Sequence, residues 1–350
     1  MGDTEKMGGT NMKKICLLTI WMGKLPESFW LWMITAKKNP TVDFFVITDN
    51  KGLVDNENVH FINMTMKSMK ERFEQIVGFP VKLESPYKIC DYRPLFGKAF
   101  PEILQTYEFW GHCDIDLIFG NIRKFITDEI LEQYDKILDA GCFVLYRNCE
   151  TMNNLYERSM EKDNMAYPYE KAFRTQFACY FDEYMGMSIL GWKYCRVFRD
   201  QLEEKVVQDF SWQRLNFQSY ISDDSFLFQW KDGRLYRHMC DKEGKILLGQ
   251  EPVECMLAHI QKRNMELTFT SQEVLQKKEF WIVPNKYQLE KPEGELYSSL
   301  ERQVYMELIQ KKDRQRSIKN LKSYGLLDYI LHFIRSRRIR KWIIEEKKFF

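Results

Sequence analysis

Short apolar runs, each closed by turn residues and followed by helical spacing, set the pattern of the first eighty residues. Residues 13–21 (KKICLLTIW) lead from a basic pair into an unbroken apolar run, which predicts a buried parallel strand. Gly23-Lys24-Leu25-Pro26 breaks that run. Residues 27–37 take helical spacing with Phe29, Trp30 and Met33 as the packing stripe, and Asn39-Pro40 ends the helix. A second buried strand is predicted over 42–48, closed by Asp49-Asn50-Lys51-Gly52, then a third over 59–62 and a helix over 66–77. The order β-α-β-β-α is that of an α/β sheet opening like a nucleotide-binding half, flanked by helices. Ligands of such sheets lie beyond the carboxyl ends of the strands, which places Trp21, Lys24 and Asp49 at the mouth of a site. Ordinary loop polarity accounts for each of them equally well.

The middle of the chain concentrates charge among aromatic residues. Residues 85–98 (SPYKICDYRPLFGK) carry Lys88, Asp91, Arg93 and Lys98, and Pro94 is placed to open a helix over 94–105. Cations at a helix N-terminus suit a sugar phosphate, with Asp91 available to sugar hydroxyls; a solvated Asp–Arg pair fits the same residues. Residues 107–120 (YEFWGHCDIDLIFG) then bring two carboxylates to the end of an apolar strand. In extended chain Asp114 and Asp116 point to one side while Ile115 packs on the other. Two such acids are costly to desolvate unless a cation lies between them, and Mn²⁺ or Mg²⁺ with oxygen ligands is the simplest choice. A solvated turn is the plainer alternative.

Residues 141–147 alternate as another strand, and 150–175 are polar enough to suggest a flap. Asp182 and Glu183, before Gly186, are candidates for a base on an acceptor. Residues 225–236 predict a hairpin on Asp232-Gly233. At the end of the apolar run 256–260, His259 is a candidate metal ligand, with Lys262 and Arg263 beyond it to neutralise phosphate oxygens. Trp21, Tyr92 and Trp110 are candidates for stacking on a base or sugar.

Composition narrows the class without changing it. The 350 residues are 45% hydrophobic, 29% charged and 15% aromatic, a globular balance with material for a large α/β core. A net charge of only +2 gives no overall field toward nucleic acid. Nine cysteines without a CxxC pair argue against a zinc ribbon and against a disulfide framework, and favour a reduced, cytoplasmic setting. No apolar run reaches the roughly 18 residues that span a bilayer, and residues 1–12 read as a disordered lead-in rather than a signal peptide.

Together the blocks Gly23-Lys24-Leu25-Pro26, Lys88-Ile89-Cys90-Asp91-Tyr92-Arg93-Pro94, Gly111 to Gly120, Phe181-Asp182-Glu183 with Gly186-Met187, and His259-Ile260-Gln261-Lys262-Arg263 resemble bacterial glycosyltransferase-like proteins of polysaccharide-synthesis loci. The similarity runs over residues 13–265, and it implies a GT-A fold, a nucleotide-sugar donor, expected to be UDP-linked, and a divalent cation. It further implies that Asp116 and His259 hold the metal. Asp114 would join them or bind the donor ribose. Lys262 and Arg263 would lie near the diphosphate, Asp91 and Arg93 near the donor sugar, and Asp182 and Glu183 on the acceptor side. The acceptor would be a saccharide or lipid-linked saccharide; neither inverting nor retaining chemistry is selected. A nucleotide-sugar hydrolase and a non-catalytic subunit of a polysaccharide machine are the rival readings.

Residues 266–350 fit the resemblance poorly and read as an extension, with a strand over 280–283, a linker over 288–296 and helices over 300–310 and 326–344. Residues 311–350 hold thirteen Lys or Arg against four Asp or Glu, leaving 39 against 46 in the rest of the chain. Interleaved with Trp and Ile, such a tail suits an anionic membrane surface on its inner face, or a protein partner. It carries no recognised nucleic-acid motif, so nucleic acid is not an expected partner.

Overall fold

The computed structural model describes residues 14–162, 165–199, 206–209, 214–218, 224–261 and 263–324, with 330, 333–334, 337–338 and 341. The lead-in and most of the helix expected over 326–344 lie outside the described residues.

The opening apolar runs become the strands expected of them. β1 (Ile15–Trp21), β2 (Val42–Thr48) and β3 (Val59–Asn63) pair in parallel, with α1 (Phe29–Lys37) and α2 (Met66–Val77) as the intervening helices. β4 (Phe109–Cys113) joins the other edge of β1 in parallel. The sheet continues through β7 (Phe143–Arg147), β6 (Lys136–Ala140) and β8 (Val197–Phe198), giving the order β3-β2-β1-β4-β7-β6-β8, in which β7 alone runs against the others. At the centre of β4, Gly111 is required by space: a Cβ there would overlap the Val144 carbonyl of β7.

A second sheet, antiparallel except where β15 runs parallel to β17, is built from β10 (Phe217–Gln218), β11 (Ser225–Lys231), β12 (Arg234–Cys240), β13 (Val253–Cys255), β15 (Glu266–Leu267), β16 (Glu279–Val283) and β17 (Lys286–Gln288). The β11–β12 hairpin turns on Asp232 and Gly233, with φ of 43° and 87°, the two positive values its type of turn demands. Because β11 pairs with β16, the domain boundary expected at 265 falls inside this sheet. Packing of one sheet, not composition, decides where that unit ends.

Between the two sheets runs α1. Phe29, Trp32 and Ala36 join the core under the first sheet, while Leu31 joins the core of the second and Trp30 and Ile34 pack against it. A helix apolar all round is buried on both sides, so the single stripe expected at Phe29, Trp30 and Met33 is replaced by two faces. A small third sheet, β5 (Leu117–Phe119), β14 (Leu257–His259) and β9 (Val207–Asp209), ties the two halves together. The Trp230 indole of β11 donates to the Phe119 carbonyl at 3.0 Å, and Lys38 pairs with Asp232 at 2.6 Å.

Two further expectations are corrected. Instead of one helix over 94–105 there is a run of 3₁₀ turns, Pro86–Leu95, then the short helices Phe96–Ala99 and Pro101–Leu104. Pro101 has no N–H and forces the residue before it out of helical backbone, and Phe100 sits at φ −128°, ψ 50°. The described residues of 150–175 are not a flap: Leu155, Tyr156, Ala172 and Phe173 are core, and Phe173 stacks on Tyr92 at 4.7 Å.

Candidate functional site

The chain leaves β4 at Cys113, turns through Asp114-Ile115-Asp116 and enters β5 at Leu117. The two carboxylates are therefore brought together by a turn between sheets, and not by strand alternation as expected. The turn is pinned on both sides: the Trp32 indole donates to the Asp114 carbonyl at 3.0 Å, and the Ile260 amide to the Asp116 carbonyl at 3.0 Å. Thr19, at the end of β1, donates to the Cys113 carbonyl at 2.9 Å and meets the Cys113 sulfur at 3.0 Å.

β14 pairs antiparallel with β5, setting His259 opposite Leu117. That register carries the imidazole Nε2 to 3.3 Å from Asp116 and 3.7 Å from Asp114. One ligand atom from each of Asp114, Asp116 and His259 lies within 4.8 Å of the others. Two carboxylate oxygens and one imidazole nitrogen suit a borderline-hard divalent ion such as Mn²⁺, so the expected ligand set fits a metal by its chemistry.

Asp114 has a second partner. Arg93 donates through Nη2 to Asp114 Oδ1, and through Nη1 to Asp182 Oδ2 at 2.9 Å and to the Gly141 carbonyl at 2.7 Å. Burial works against the charge on Arg93, but Asp114 and then Asp182 hold it a cation. Burial likewise pushes the Asp114 carboxyl up, with Asp116 adding to this and Arg93 and His259 opposing it. One oxygen of Asp114 is thus turned to Arg93 while the other faces His259. A guanidinium so placed fixes the orientation of the Asp114 carboxylate.

Beside the turn lies a cleft of about 300 Å³ at the carboxyl end of β1. Trp21, Met22, Tyr87, Cys90, Arg93 and the residues 113–116 are among its walls. Its position beyond the parallel strands is where α/β sheets bind their ligands.

A family model described as a family of unknown function (DUF6625) matches residues 17–291, most of the chain and all of the site just described. The chain belongs to that family. No curated protein matches it in sequence. Among solved structures, this DUF6625 member is similar to the galactosyltransferase LgtC in complex with donor and acceptor sugar analogs, at 12% identity and a TM-score of 0.30 over 56% of this chain and 75% of that one. It is also similar to mouse xyloside xylosyltransferase 1 (9% identity, TM-score 0.35, 57% of this chain and 88% of that one) and to GlyE of Streptococcus pneumoniae TIGR4 (13%, 0.28, 56% and 47%).

The DUF6625 chain distributes its other expected site residues unevenly. Trp21 is half-buried in the cleft wall and its indole donates to the Lys24 carbonyl at 3.0 Å, while Lys24 itself is exposed. Asp49 is exposed and accepts from the Gly23 amide at 2.8 Å, so it shapes the loop at the cleft mouth. Lys88 and Asp91, expected to meet a donor, are 1% and 0% exposed and bonded to each other at 2.6 Å. Their remaining capacity goes to the backbone of 172–181: Lys88 to the carbonyls of Ala172 and Phe177, Asp91 from the amides of Cys179 and Phe181. They build the wall that carries Arg93 and do not line the cleft. Tyr92 and Trp110 are buried among aromatic neighbours.

Asp182 is 2% exposed behind Arg93, and burial pushes its carboxyl well above the usual range, against the pull of Arg93. An acid so placed is bonded to Arg93 and is not open to the cleft. Glu183 is half-buried, its carboxylate against Gly141. Arg263 is 8% exposed and donates to the carbonyls of Arg214, Leu215 and Asn216, which commits it to the second sheet rather than to a diphosphate. Lys262 lies outside the described residues. Trp32, Thr19 and Tyr87 escaped the sequence reading. The signal for Trp32 was its place in a helix with apolar residues on every side.

Several buried polar atoms have no hydrogen-bond partner among the described residues: both ring nitrogens of His112, the Tyr146 hydroxyl, Asp182 Oδ1 and Ser188 Oγ. Leaving a buried hydroxyl unpaired costs about 1–3 kcal/mol. Tyr146→Phe keeps the ring stack on Trp110 at 4.8 Å, so it should raise the melting temperature. Thermal unfolding of the two proteins checks this, and a lower value for the variant would refute it.

Proposed function

We propose that this chain is a divalent-metal-dependent glycosyltransferase, moving a sugar from a nucleotide-sugar donor, expected to be UDP-linked, to a saccharide or lipid-linked acceptor in cell-surface polysaccharide synthesis. The observation that carries the reading is the convergence of Asp114, Asp116 and His259 at the edge of the cleft below Trp21 and Tyr87. Glycosyl transfer separates a nucleoside diphosphate from an oxocarbenium-like sugar, so its catalyst must stabilise charge on the departing diphosphate. A bound Mn²⁺ or Mg²⁺ supplies that charge. Arg93 holds Asp114 in orientation, and Asp182 and the Gly141 carbonyl hold Arg93. Trp21 and Tyr87 offer aromatic walls for a base or sugar. Since Asp182 is taken up by Arg93, the acceptor-side base of an inverting reaction falls to Glu183.

Calorimetric titration with a panel of nucleoside diphosphates, with and without Mn²⁺, tests the proposal. Metal-dependent binding of one of them is the expected result. Binding of none in any metal would leave the non-catalytic subunit as the surviving reading. Rapid release of free sugar from the donor without acceptor would favour the hydrolase.

A pH dependence follows. Ligation needs Asp114 ionised and His259 neutral, so protons compete with the metal. Because the Asp114 carboxyl is raised by burial, competition should set in at a higher pH than for a free aspartate. Mn²⁺ affinity should therefore fall as pH falls, and titrations across the acidic range will show it. Affinity unchanged on acidification would remove Asp114 from the ligand set.

A further inference from the structure

We infer that the outward face of the helix Ser299–Tyr324 docks on the surface of an anionic lipid bilayer. This helix already has a face turned to the protein: Ile309 is 7% exposed, Tyr305 and Met306 are half-buried, and Arg302 donates to the Lys242 carbonyl at 3.4 Å. One apolar stripe is all that a surface helix needs. This helix carries a second, on the opposite side. Leu300, Val304 and Leu308 follow one another at intervals of four, and Ile318 returns to the azimuth of Leu300 after whole turns. Their exposures are 69%, 46%, 55% and 55%. Lys311 lies within that stripe and Arg314 at its edge, both exposed. Two acids border this face: Glu307, which accepts from Gln303 at 3.1 Å, and Glu301 in the first turn, which accepts the Ser298 amide at 2.7 Å. Farther on, Ile330, Phe333 and Ile334 are again exposed, and the Arg337 guanidinium lies 4.6 Å over the Phe333 ring.

The occupant follows from charge. From residue 311 onward there are thirteen Lys or Arg against four Asp or Glu. A second copy of the chain would set like charges against each other. A nucleic acid would neutralise the cations but leave the Leu300–Leu308 stripe in water. A bilayer with anionic headgroups meets both needs at one depth, apolar side chains entering the boundary and cations remaining at the headgroups. Among the described residues no helix is long and apolar enough to cross a membrane, so the contact is peripheral.

The test is co-sedimentation of the full chain with vesicles of phosphatidylcholine alone or mixed with phosphatidylglycerol. Binding to the mixed vesicles only, reversed by high salt and lost in Leu300→Glu/Leu308→Glu, is the expected result. Both leucines are exposed, so the variant should melt with the wild type, which separates lost docking from lost fold. Failure to bind phosphatidylglycerol vesicles would overturn the inference, as would binding indifferent to the double substitution. So would a salt-resistant dimer, without vesicle binding, that the substitution dissolves. None of these outcomes depends on the donor chemistry proposed above.

Discussion

Asp116→Ala is expected to abolish metal-dependent nucleotide binding and to lower sugar transfer by about a hundredfold or more, the scale on which even outer-shell losses at metal sites are felt. Asp116 is 37% exposed in its side chain, and its carboxylate lies 3.3 Å from His259 Nε2. Its removal therefore takes away a proposed ligand without opening the core, and the melting temperature of the metal-free protein should hardly change. That pairing of results, binding gone and fold intact, distinguishes a ligand from a structural acid. Calorimetry with Mn²⁺ and the nucleotide that wild type selects is the direct measurement. Undiminished metal-dependent binding in the variant would remove Asp116 from the site.

Asp91→Ala should have the opposite profile, a large loss of stability through a residue that touches no substrate. Its carboxylate neutralises Lys88 at 2.6 Å and accepts the amides of Cys179 and Phe181 at 2.7 and 2.9 Å, all in the interior. Removing one member of a buried pair leaves an uncompensated charge, at about 3–5 kcal/mol. Two backbone amides lose their acceptor as well. Urea unfolding reads the loss, and adding Lys88→Met should recover part of it, because the stranded charge is then gone. A loss below about 1 kcal/mol, the scale of an exposed ion pair, would mean that Lys88 reaches solvent in the folded protein. The Asp91 wall also carries Arg93, so any remaining folded variant should bind Mn²⁺ less tightly.

The two residues show what the sequence could and could not convey. The strands and helices of residues 15–77 are legible because apolar runs of seven or so between turn residues admit few other structures, and Asp232-Gly233 announces its hairpin through a turn that only such residues adopt. Asp114, Asp116 and His259 stand out in the sequence as acids and an imidazole ending apolar runs, and the fold brings the three together. Lys88 and Asp91 look ligand-facing in the sequence because charges among turn residues usually meet solvent. Nothing in the local pattern reveals that residues 172–181 fold over them. Arg263 misled for the same reason: its three carbonyl partners come from a segment some fifty residues earlier. α1 misled by its surroundings, since a helix lying between two sheets has no polar face to mark its orientation.

The third sheet has a consequence for the order in which the molecule assembles. β5 follows the Asp-x-Asp turn directly, but its partner β14 arrives only after residues 120–256 have been made. During synthesis the first sheet can close on local contacts while its pair of acids faces solvent without the imidazole. Joining β5 to β14 closes a long loop, the kind of step that comes late because chain entropy opposes it until the reward is at hand. On the ligand set proposed above, metal competence would then report on completed folding. A nascent or truncated chain lacking β14 would have Asp114 and Asp116 but not His259, the third of the proposed ligands.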